Sequence, residues 1–74
     1  MLTRLIVRAR LRSALKHRDY ILGLIASRNT DMVVLHPENL QRVVIEREIK
    51  NLLEPELAHN EELIEKLEAR LKNL

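Results

Sequence analysis

Three groupings in the chain join residue types that carry chemistry in other proteins. Ser13 and His17 stand four apart, a separation that on a helix puts a hydroxyl within reach of an imidazole, the start of an activated nucleophile. Nothing near them in sequence supplies a glycine-rich turn, an orienting acid or a set of donors for an oxyanion. Glu56 and His59 make a Glu-x-x-His spacing, which di-iron bundles use together with inward glutamates from other helices. Residues 1–28 contain no glutamate, and the apolar stripe described below turns Leu57 and Asn60 inward, so Glu56 and His59 are expected on a solvated flank. His36 precedes Pro37 with no second histidine at ligand spacing, and reads as the end of a loop. No catalytic, cofactor-binding or metal-ligating set emerges. The expectation is a protein without enzymatic activity or cofactor.

The arginines pose a sharper question. In LIVRARLR, Leu5 to Arg12, the side chains Arg8, Arg10 and Arg12 alternate with Val7, Ala9 and Leu11. Read as a strand over 4–12, the segment faces Leu5, Val7, Ala9 and Leu11 inward and Arg4, Arg8, Arg10 and Arg12 outward. Read as a helix, Leu2, Leu5, Ile6 and Ala9 form one stripe, while Val7, Leu11, Ala14 and Leu15 start another about half a turn round. Periodicity favours the strand. Ala, Leu and Arg are strong helix formers, however, and no breaker separates the segment from the helical pattern that follows, so helix is expected.

With a strand at 4–12 and helices at 13–28 and 38–53, "RLIVRARLR" resembles the ribbon-helix-helix DNA-binding proteins, in which paired strands of a dimer enter the major groove. That resemblance implies Arg8 and Arg10 as base readers, since arginine pairs bidentately with guanine. With a helix, phosphate contacts independent of sequence would be the nucleic-acid reading for Arg4, Arg8, Arg10 and Arg12. Tyr20 is the only aromatic residue, which gives single-stranded bases little to stack on. The stretch ILGLIASRN, residues 21–29, is similar to the end of the first-helix motif of all-helical chorismate mutases. That resemblance implies arginines and a lysine converging from several helices, and an Arg-Glu pair opening the second helix, where this chain has Arg42 followed by Val43.

These residues are positioned by long helices. Leu53, Leu57, Asn60, Ile64, Leu67, Leu71 and Leu74 recur at alternating intervals of four and three, the stripe of a helix packed along one narrow seam. Glu62–Lys66 and Glu68–Lys72 support that helix in the favourable i,i+4 order. We expect Leu57, Asn60, Ile64, Leu67, Leu71 and Leu74 to form an interface between chains, with Asn60 either fixing register or lying at an exposed end. Pro55 suits a first helical turn, where its missing N–H is not needed. Pro37-Glu38-Asn39 starts the preceding helix, and one long helix bent near Pro55 is favoured over a second hairpin that no glycine would serve. Ser13 is a candidate N-cap for residues 13–28. Asn29-Thr30-Asp31 signals a turn, and residues 32–35, Met-Val-Val-Leu, are either a short strand or an apolar plug.

Length and composition set the frame. The chain has 74 residues, a single domain over 1–74 that would be marginal alone. Without cysteine it can form neither disulfides nor a thiolate zinc site. Residues 1–28 carry seven cations against Asp19, a balance of +6, and residues 29–74 carry six against ten acids, a balance of −4. Such halves attract each other within or between chains. No apolar run is long enough for a membrane span, and the single serine of residues 1–18 with its unbroken apolar pattern argues against a targeting leader, so a cytoplasmic protein is expected. The expected architecture is all-α: a helical hairpin or three-helix chain, about 2–28, 37–53 and 55–73, associating as a homo-oligomeric, coiled-coil-like bundle. Its regular Glu/Lys/Leu C-terminus would suit a structural or designed self-assembly module whose partner is a second copy, with nucleic acid as the alternative and no small-molecule substrate.

Overall fold

One glycine and no proline precede Pro37, so nothing in the first half of the chain breaks a helix. The computed structural model, which describes residues 2–74, accordingly shows one unbroken helix, α1, over Leu2–Val33. A short connection leads to α2, Leu40–Glu48, which runs through a π-helical turn, Ile49–Leu53, into α3, Glu54–Lys72. The returning arm lies antiparallel along α1. Arg4 meets Leu74, Ala14 meets Asn60, His17 meets Glu56 and Arg28 meets Glu48, so partner numbers fall as α1 numbers rise. The result is an all-α hairpin 55 × 15 × 12 Å in extent.

Several local expectations give way to this length of helix. Residues 4–12 are helical and form no strand. Residues 32–35 finish α1 and enter a turn, so no strand forms there either. Ser13 is interior to α1 and caps nothing. The first helix extends past residue 28 because Asn29-Thr30-Asp31 is absorbed rather than turned: Thr30 Oγ1 donates back to the Ala26 carbonyl at 3.0 Å, and Arg28 reaches Asp31 at 3.8 Å. The second helix starts at Leu40 instead of residue 37. Asn39, with extended backbone, is its N-cap, and its side-chain oxygen accepts from the Gln41 amide at 2.8 Å.

The core is one seam. Val7, Ala14 and Ile21, at seven-residue intervals along α1, are buried against Leu53, Asn60, Ile64 and Leu67 of the returning arm. Leu11, Leu15 and Leu71 close over its centre. Fully burying a valine or isoleucine contributes roughly 1.5–3 kcal/mol, and Val7 and Ile21 are each 1% exposed. Of the two stripes a helical N-terminus offers, the fold uses the one through Val7, Leu11 and Ala14. The other, Leu2, Leu5, Ile6 and Ala9, is left facing outward.

The π turn explains how the arm stays in phase. Arg42, Ile45, Ile49 and Leu53 are at least half-buried and lie three, four and four apart, one residue more than a regular seam allows. A π turn absorbs one extra residue, and here the Glu54 amide donates to the Ile49 carbonyl five residues back. Pro55 follows at once. Having no N–H, it cannot bond the Asn51 carbonyl, and a widened turn relieves the clash of its ring with that carbonyl. The expected continuation of one helix through Pro55 is what the chain adopts.

Candidate functional site

The stripe expected to face a second chain packs instead against α1 of its own chain. Asn60, Ile64 and Leu67 are buried, Leu57 and Leu71 half-buried, and Leu74, at the open end, is 48% exposed. At the middle of the seam stands Asn60, its Nδ2 donating to the Ala14 carbonyl oxygen at 3.0 Å. The small side chain of Ala14 leaves room for this crossing. A buried polar group must be matched, so the contact favours one alignment of the two helices over a shift by a turn.

The seam has two flanks of different character. On one, Arg10, Ser13, His17 and Leu63 border a shallow groove over Asn60, and His17 Nε2 lies 3.0 Å from Glu56 Oε1. His17 therefore pairs with a carboxylate of the opposite helix, and no hydrogen bond joins it to Ser13 among the described residues. Glu56 is thereby engaged away from His59, and among the described residues no group of three metal-ligating side chains gathers. On the other flank Arg18 lines a depression together with Glu61, Glu62, Glu65 and Glu68 of α3.

The N-terminal arginines are helical and exposed, so they form no ribbon of alternating side chains. Arg4, Arg8, Arg12 and Lys16 follow one another at i,i+4 and make a single ridge along α1, with Arg10 on the other side. Arg4 donates to the Leu74 backbone oxygen at 2.9 Å. No acid lies within ion-pair distance of Arg4, Arg8, Arg10, Arg12 or Lys16 among the described residues, so they do not pair with the acids of α3. Among the described residues the side-chain pairs across the two helices are the His17–Glu56 contact and the Arg28–Glu48 ion pair, the latter at 3.4 Å.

Arg42 takes a part its sequence neighbours do not signal. Its guanidinium donates to the Leu35 carbonyl at 3.1 Å and the Met32 carbonyl at 3.4 Å, occupying acceptors where α1 ends and placing a cation at the negative end of the helix. Arg28 and Arg42, the cations nearest the loop end of the seam, are thus both held by groups of this chain. Among the described residues no helix is long and apolar enough to cross a membrane. Comparison with protein-family models, with curated proteins and with solved structures finds no match.

Proposed function

We propose that this chain is a self-assembling helical hairpin, a non-enzymatic building block that completes its core by association with further copies. One observation carries the reading. Leu5, Ile6, Leu22, Leu40, Val44 and Leu52 stand 44–80% exposed on a chain whose own seam is already filled. Shape supports it. The hairpin exposes 5916 Å², whereas a compact chain of 8.7 kDa would expose about 4,700 Å². Its radius of gyration is 16.5 Å, against about 11 Å for a globular chain of this length. The excess, about 1,200 Å², is larger than the ~800 Å² each partner contributes to an ordinary protein–protein interface. Large aliphatic side chains left exposed beside a filled seam mark an interaction surface.

Light scattering on the chain eluting from a sizing column at micromolar concentration tests the proposal. A mass that is a multiple of 8.7 kDa is expected. A folded, fully helical monomer overturns it.

A further inference from the structure

The flank of the seam opposite the His17–Glu56 pair is self-complementary. On α1 the ridge of Arg4, Arg8 and Arg12 runs along it before turning to the back of the helix at Lys16, with Arg4 held by the Leu74 oxygen, and Leu15 and Leu22, one and two heptads on from Arg8, share its edge. Leu15 is half-buried and Leu22 is 44% exposed. On α3 the same flank carries Glu61, Glu65 and Glu68, around the depression that Arg18 enters. Four like charges at i,i+4 repel one another. Neither they nor those glutamates have an opposite charge within ion-pair distance in their own chain among the described residues. Each row therefore keeps charges that no direct ion pair within the chain engages.

Resting on the self-assembly reading, we propose that a second copy docks on this flank about a two-fold axis parallel to the helices. The α1 ridge of each chain lies on the acidic edge of the other's α3, both open ends at the same end. Leu15 and Leu22 of the two copies supply the apolar centre of a four-helix bundle. The two-fold makes each contact twice. Charge selects this orientation. The basic half of α1 and the acidic α3 share the open end, whereas residues 19–33, which the opposite orientation would set over the ridge, carry only Asp19, Arg28 and Asp31. A nucleic acid fits less well, because phosphates drawn to the ridge would meet the acidic edge beside it.

The test is a charge swap read by sedimentation equilibrium, with circular dichroism confirming helix in each variant. R8E/R12E and E61R/E65R should each raise the dissociation constant at least about tenfold, since like charges then oppose across the interface. An equimolar mixture should associate as the unaltered chain does, because each reversed row meets its complement. A nitroxide on Asn73→Cys, in a chain with no other cysteine, should report an interspin distance well below the 55 Å length of the hairpin. If the unaltered chain associates but both reversals associate equally well, or the spins lie near that full length apart, this arrangement is wrong and self-assembly stands. If the unaltered chain is a folded monomer, both fail. A monomer that binds duplex DNA with steep salt dependence also overturns the arrangement and assigns the ridge to phosphates.

Discussion

Asn60 donates its side-chain amide to the main-chain oxygen of Ala14 at 3.0 Å, from within one helix to within the other, with Asn60 only 6% exposed. Among the described residues every other buried side chain of the seam is apolar, with no hydrogen bond that a shift by a turn would break. Asn60 has such a bond. Asn60→Ala should lower stability by about 1–2 kcal/mol, the hydrogen bond plus the volume lost. Asn60→Leu should raise the melting midpoint while populating more than one alignment, seen as heterogeneous cross-helix distances between spin labels on α1 and α3. Urea melts at matched chain concentration check the first, and an unchanged midpoint for Asn60→Ala would remove the role assigned to this contact.

Arg42 ties the end of α1 to the start of the return arm through the Leu35 and Met32 carbonyls. Replacing it with methionine keeps much of the stem and removes the donors. The expected cost is about 1–2 kcal/mol. Amide exchange should quicken through residues 32–39 while the seam around Val7 and Ile64 keeps its protection. Uniform loss of protection along the chain would contradict a local fastening.

The π turn and Pro55 should be separable only together. Deleting exposed Asn51 closes the four-residue step from Ile49 to Leu53 to three, leaving Arg42, Ile45, Ile49, Leu53 and Leu57 in an uninterrupted heptad. Pro55 would then sit inside a regular helix at a cost of about 3 kcal/mol. Deletion of Asn51 combined with Pro55→Ala is therefore expected to melt no lower than the unaltered chain, and the deletion alone clearly lower. Equal loss in both would show that the turn holds something other than phase.

Gly23 lies inside α1, and a Cβ built there meets nothing within 4 Å. Gly23→Ala should raise stability by about 0.5–1 kcal/mol, through the smaller entropy of the unfolded chain. A lower melting midpoint would mean that a partner chain approaches the helix closely at this position.

Much of this fold was legible. The four-three stripe from Leu53 to Leu74 marks a helix with one packed edge, and the structure buries or half-buries that edge from Leu53 to Leu71. The partner across it was not legible, because a heptad stripe says which side is covered and not whether the cover comes from another chain; here α1 supplies it. The N-terminal segment misled for a related reason. Two apolar stripes coexist in residues 2–15, and only the position of α3 decides that Val7, Leu11 and Ala14 turn inward and Leu5 and Ile6 outward. Asn29-Thr30-Asp31 carries turn chemistry that a long helix with a packed seam overrides. The contacts of His17 with Glu56 and of Arg42 with Leu35 join residues that no spacing rule relates. They become visible once the hairpin and its register are known.

If folding and association are coupled, as the self-assembly proposed from the exposed Leu5, Ile6, Leu40 and Val44 implies, stability depends on chain concentration. The direct measurement is the thermal midpoint by circular dichroism across a wide dilution series. A self-assembling chain gives a midpoint that climbs steadily as concentration rises. A midpoint that stays fixed at full helicity would contradict it, and would establish the lone hairpin as the complete fold.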